Sequence, residues 1–172
     1  MRRLLTAYLA ILGGQVSAQL LSGFGQTPYM PLCAESCLRS LSSLMLDCTV
    51  MDDRAGGHSH MAPTTPDCFA ENTPFLTTLA WCMRTKCAEH NVANSEIQHF
   101  WELKATSSSS VPAKWSYAEA LTHADPSPPT YKISDTDVYL NESSLVNDNT
   151  YLAQWNVLGN VQYTAIKESA YG

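Results

Sequence analysis

Apolar residues along the first half of the chain recur at helical spacing. Cys33, Cys37, Leu41, Leu44 and Cys48 follow one another at intervals of four, four, three and four, which puts cysteines and leucines on one face of a first helix. A second helix is expected to begin at Pro74, a residue whose fixed φ suits a first turn. It carries Leu76, Ala80, Met83 and Cys87 on one stripe, with Phe75, Leu79 and Cys82 beside it. Arg84 and Lys86 fall in its last turn, where cations offset the helix dipole. A third, shorter helix over 95–103 brings Ile97, Phe100 and Trp101 onto the same core. The simplest arrangement is two helices cross-linked through their cysteine faces.

Between the first two helices, residues 52–66 are rich in Gly, His, Thr and Pro and read as a surface loop. A second break over 105–112 holds four consecutive serines and reads as a flexible linker. Ser116-Tyr117-Ala118-Glu119 then has the pattern of a capping box opening a short helix, stopped by Pro126, Pro128 and Pro129. Residues 131–140 alternate imperfectly like a strand, through Tyr131, Ile133, Val138 and Tyr139. From Ser144, the residues Leu145, Tyr151, Leu152, Trp155 and Leu158 predict a last helix, with Gly159 as a stop or bend. The fold expected is mainly α, a small disulfide-cross-linked helical domain followed by a less regular α/β tail. Its organisation is a signal peptide over 1–18, a six-cysteine helical domain over 19–103, a Ser-rich linker over 104–114 and a C-terminal segment over 115–172.

The N-terminus changes the compartment. Arg2 and Arg3 precede an apolar run over 4–12, and Val16-Ser17-Ala18 supplies the small residues of a cleavage site before Gln19. As a helix that run reaches only ~14 Å, too short for a ~30 Å hydrocarbon core. The net charge is −6, and cleavage would remove Arg2 and Arg3, leaving 8 Lys+Arg against 16 Asp+Glu and a charge of −8. An acidic surface of this kind argues against nucleic acid as a partner. In an oxidising compartment the six cysteines, Cys33, Cys37, Cys48, Cys68, Cys82 and Cys87, read as three disulfides, with ~15 pairings open. A zinc site competes poorly, because the C-x3-C and C-x4-C spacings suit successive helical turns better than metal knuckles.

Candidate chemistry is sparse. His58-Ser59-His60-Met61 puts two imidazoles and a thioether on the Gly-rich loop, donors suited to capturing copper or iron. The competing reading is a polar loop with two ordinary histidines, since ordering a free loop around a metal costs entropy. Asn141-Glu142-Ser143 satisfies the N-glycosylation rule, whereas Asn72-Thr73-Pro74 fails it at the third position. Trp81, Trp101, Trp115 and Trp155 are expected in core or interface positions. His90, His99 and His123 lie apart, and no nucleophile elbow or reactive cysteine accompanies them.

Taken in order, the pieces resemble a family. They are Cys33-Ala34-Glu35-Ser36-Cys37, Cys48, Thr65-Pro66-Asp67-Cys68-Phe69-Ala70, and Phe75-Leu76-Thr77-Thr78-Leu79-Ala80-Trp81-Cys82 with Cys87. Phe100-Trp101-Glu102, Trp115-Ser116-Tyr117-Ala118-Glu119-Ala120-Leu121 and Leu140-Asn141-Glu142-Ser143-Ser144-Leu145-Val146 follow. Tyr151, Trp155-Asn156-Val157-Leu158 and Tyr171-Gly172 complete the series, which resembles the N-terminal extracytoplasmic region of fungal ferric reductase-like transmembrane proteins, relatives of the NADPH oxidases. That resemblance implies a parent in which histidine pairs of a membrane bundle hold two haems and a cytoplasmic domain binds FAD and NADPH. Electrons would cross the membrane to reduce ferric iron outside. The chain contains no membrane histidine pairs, flavin motif or glycine-rich nucleotide fingerprint, so those cofactors are expected only in missing parts of such a parent. The expectation is therefore an extracellular fragment involved in iron or copper uptake, facing its own transmembrane haem domain and ferric or cupric ions. The alternative is a free-standing secreted cysteine-rich protein that binds a metal or another ligand.

Overall fold

The computed structural model describes residues 31–52, 60–61, 64–124 and 128–171. The expected signal peptide and its cleavage site lie outside these residues, as does His58. The fold is mainly helical. In order, α1 spans Leu32–Leu41, β1 Met51–Asp52, β2 His60–Met61, α2 Pro66–Glu71, α3 Thr73–Ala88, α4 Asn94–Lys104, α5 Tyr117–His123 and α6 Asp148–Tyr171.

Local chemistry explains most boundaries. Thr65 caps α2 by accepting from the Cys68 amide at 3.3 Å, and Asn72 caps α3 by accepting from the Phe75 amide at 2.8 Å. Each of these helices carries proline in its first turn. Past the end of α3, the Val92 amide reaches back to the Cys87 carbonyl at 3.2 Å while Asn91 takes a left-handed φ of 54°. The capping box of α5 is complete, with Ser116 accepting from the Glu119 amide and Glu119 accepting from the Ser116 amide.

The apolar stripe of α3 is buried throughout its length, from Phe75 and Leu76 through Leu79, Ala80 and Met83. It meets the cysteine face of α1, and Cys33 joins Cys87 while Cys37 joins Cys82. Ile97, Phe100 and Trp101 of α4 close one side of this core. Residues 104–114 turn back over the helices. Ala105 and Thr106 are buried, Thr106 donates to the Val111 carbonyl at 2.5 Å, and the Lys114 amide donates to Ala70 O at 3.1 Å. Tyr117, Ala120, Ile133, Leu140, Val146 and Tyr151 join the same core, so the chain before and after this segment is packed as one unit.

Three sequence expectations are corrected. The first helix stops at Leu41, so Leu44 and Cys48 lie beyond it in a turn. Past Leu41 the chain tightens into turns: the Ser42 amide and hydroxyl both donate to the Arg39 carbonyl, at 3.3 and 2.8 Å, and the Leu44 amide donates to the Leu41 carbonyl at 3.1 Å. Among the described residues of the tail there is no strand, only the isolated parallel bridges Met45–Tyr139 and Lys132–Leu145. A turn divides them, in which Asp137 accepts from the Ser134 amide at 2.8 Å. Finally, Gly159 does not stop α6, which runs on to Tyr171.

Candidate functional site

The six cysteines form three disulfides, Cys33–Cys87, Cys37–Cys82 and Cys48–Cys68, with Cα–Cα distances of 5.3, 5.9 and 5.6 Å. No free cysteine remains, so sulfur is committed to structure and offers neither a nucleophile nor a thiolate ligand. The first two bridges lie inside the core. The third is peripheral, with Cys48 exposed, and links the residues just outside the paired segments 51–52 and 60–61.

Together these segments form an arm, a short antiparallel ladder pairing Met51 with Met61 and Asp52 with His60. Its base is tied a second time by the Thr49 and Thr64 hydroxyls, 2.9 Å apart, while Thr49 also accepts from the Leu46 amide at 2.9 Å. The disulfide and the hydroxyl pair thus hold together the two ends of the expected loop. His60 is placed opposite Asp52 in backbone register. Among the described residues no group of three His, Cys, Asp or Glu side chains converges on a point that would hold a metal ion.

Asn141 sits on the opposite kind of scaffold, an extended segment fixed from both sides. The Leu140 amide donates to Met45 O at 2.9 Å and the Met45 amide to Val138 O at 2.8 Å. Ser143 and Thr77 share a hydrogen bond at 2.6 Å, and the Ser144 amide donates to Thr78 Oγ1 at 2.9 Å. Asn141 itself is exposed and lines a groove of about 460 Å³ together with Tyr131, Asp137, Val138 and Tyr139. The Tyr131 hydroxyl donates to Asp137 at 2.7 Å. The Ser134 amide and then Tyr131 hold the Asp137 carboxyl below its usual range, and the same hydrogen bond raises the Tyr131 phenol.

Two features escaped the sequence reading. Asp148, in the first turn of α6, accepts from Lys132 at 2.6 Å and Lys86 at 2.9 Å, and these bonds lower its carboxyl pKa. Lys86 also lies 5.0 Å above the Tyr151 ring. These partners are 62 and 16 residues apart, beyond any local motif. The second feature is a groove of about 400 Å³ beside Arg84, Gln98 and Tyr117. Arg84 stacks on Trp81 at 5.0 Å, and burial pushes the Tyr117 phenol up to about 12 against the partial offset of Arg84. In the sequence Arg84 reads only as a cation near the end of α3, which gives no sign of the groove.

The tryptophans brace these elements. Trp101 is buried and donates to the Trp115 carbonyl at 2.8 Å, Trp115 stacks on His123 at 4.0 Å, and Trp155 stacks on His90 at 4.3 Å. Two of the three histidines read as scattered therefore serve as ring partners. Among the described residues no helix is long and apolar enough to cross a membrane. Three disulfides are consistent with an oxidising, extracytoplasmic setting. Compared with known proteins, the chain matches no family model, no curated protein and no solved structure.

Proposed function

We propose that the chain is the extracytoplasmic domain of a ferric reductase-like membrane protein, acting in iron or copper uptake at the cell surface. One observation carries the reading. The sequence pieces that resemble the family fall on the elements that build the common core: α1, α2, α3, α4, α5, the 140–146 segment and α6. A resemblance confined to loops or to low-complexity sequence would not have this distribution. The signal-like N-terminus and the three disulfides support the compartment.

On this reading the domain caps the outer mouth of a haem-bearing bundle supplied by other parts of the parent protein, where FAD and NADPH also bind. Its own contribution is structural or substrate-guiding, with no catalytic residue in this chain. The loop sequence that holds His58 and His60 is the segment that would meet ferric or cupric ions. Nucleic acid is not a partner for so acidic a surface.

Sequencing the transcript through the Gly172 codon tests the proposal. The expected frame continues into apolar segments of ~20 residues with paired histidines. A stop codon there would replace it with a free-standing secreted binding protein. Should the frame continue, deleting this domain is expected to slow ferric reduction by intact cells, and an unchanged rate would remove the guiding role.

A further inference from the structure

Three exposed large apolar side chains cluster around one asparagine. Tyr131, Val138 and Tyr139 are 43%, 53% and 55% exposed, and all line the groove that Asn141 enters. Its volume of about 460 Å³ lies within the ~300–1,000 Å³ of sites that hold a small ligand. Isolated exposed apolar residues need no explanation, but a cluster rimmed by polar groups marks a surface that something covers. The rim here is Thr136, Asp137 and Glu142.

We propose that the occupant is an N-linked glycan on Asn141, whose first sugar lies over the Tyr139 ring. Three observations converge on a sugar rather than a protein partner. The attachment sequence Asn141-Glu142-Ser143 is part of the groove wall. Tyr139 and Asn141 flank the buried Leu140 in an extended segment, so the residues either side of it point the same way, outward. The wall is also fixed in advance. The 138–140 backbone is bonded to Met45, and the Tyr131 hydroxyl is held by Asp137, so little ordering entropy is lost when a ring packs there. A hexosamine has an apolar C–H face and a polar edge, matching aromatic walls with a polar rim.

The modification itself follows ordinary chemistry. Asn141 Nδ2 forms a bond to the anomeric carbon of an oligosaccharide carried on a lipid diphosphate; the sugar–diphosphate bond breaks, the amide loses a proton and the lipid diphosphate leaves. In the folded protein Ser143 Oγ is hydrogen-bonded to Thr77 at 2.6 Å, so transfer is easier on the chain before it folds. The inference rests on the secretory-route part of the function proposed above and is independent of its iron chemistry.

The test secretes the full chain from a eukaryotic host and trims it with an endoglycosidase that leaves one N-acetylhexosamine. Intact mass is expected to show that sugar on Asn141. The one-sugar form is expected to melt about 2–4 °C above both Asn141→Gln and the fully deglycosylated protein. In a Tyr139→Ala background the difference is expected to vanish, because the sugar has lost its platform. An unoccupied Asn141, equal melting temperatures, or a difference that persists in Tyr139→Ala would each overturn the proposal. None of these outcomes depends on whether the parent protein reduces iron.

Discussion

Helix α1 has two principal neighbours, and it is joined to them by different means. To α3 it is bonded, at Cys33–Cys87 and Cys37–Cys82. Against α6 it only packs, with Leu32 facing Gly159 and with Leu158 and Tyr151 of α6 buried. The bonded side keeps its geometry even when its small core loosens. The packed side depends on shape, since Asp148 at the start of α6 is tied to Lys86 of α3 and to Lys132. Cross-links placed at the centre restrict the unfolded chain and so add to what burial supplies.

Removing a bridge breaks the comparison most severely. In the chain-entropy account, Cys33–Cys87, spanning 54 residues, contributes about 4 kcal/mol and Cys48–Cys68, spanning 20, about 3 kcal/mol. Replacing both cysteines of the first pair by alanine is expected to cost at least that difference more, since these side chains are also fully buried. Urea unfolding of the two double variants measures it. Access separates the bridges further. Cys48 is exposed, whereas Cys33, Cys37, Cys82 and Cys87 are buried. Mild reductant followed by alkylation and peptide mapping should therefore label Cys48 and Cys68 first. Simultaneous labelling of all six would show that the centre is no better protected than the arm.

The bonded side was also the more legible one. The cysteine and leucine stripe of α3 and the Ile97, Phe100 and Trp101 stripe of α4 are short-range patterns, and the helices they imply formed within a residue or two of expectation. So did the capping box at Ser116, whose two partners are three residues apart. Which cysteine meets which could not be read, because pairing depends on how α1 and α3 are juxtaposed and not on spacing within either. The end of α1 was misread for a related reason. Leu44 and Cys48 keep the helical period, but the chain turns after Leu41 and Met45 pairs with Tyr139, a partner far away in sequence. The tail was hardest. Its bridges join positions to partners in α1's exit turn and in the 145 region, and each pairing is a single contact that leaves no sustained alternation. The groove at Asn141 was half visible, as a glycosylation sequence without its aromatic wall.

High pH sharpens the comparison next. Burial pushes the Tyr151 phenol up to about 12, with Glu89 adding to it, and its hydroxyl has no hydrogen-bond partner. Tyr117 on α5 is likewise raised to about 12 by burial. A folded value above the unfolded ~10 means that stability is complete below about pH 10 and declines as pH rises toward 12. By about pH 11 each ring is expected to have cost about 1 kcal/mol. Tyr151→Phe removes one of these, relieves an unsatisfied hydroxyl, and should halve the alkaline loss while stabilising the neutral protein. The acid side is weaker. Asp148, held low by Lys132 and then Lys86, contributes above the unfolded ~3.9 and loses that contribution as pH falls below it. The pair is half exposed, so Asp148→Asn should cost less than about 1 kcal/mol.

The smallest expected effect is the most specific to the packed side. Gly159 lies in the interior of α6, where glycine is a poor helix former, and invites the view that its lack of a side chain lets α6 approach α1. The geometry argues otherwise. A Cβ placed there would meet Leu32 Cδ2 at 3.7 Å, an ordinary van der Waals contact that also adds apolar burial. Nothing in the approach of the two helices requires the glycine. Gly159→Ala is therefore expected to stabilise the fold by about 0.5–1 kcal/mol, through the reduced freedom of the unfolded chain. Thermal unfolding measures the gain, and amide exchange should show slower opening across 151–162 with the α1–α3 centre unchanged. A loss of stability would mean that α6 sits closer to α1 than the 3.7 Å contact allows, and that the packed side is as tightly constrained as the bonded one.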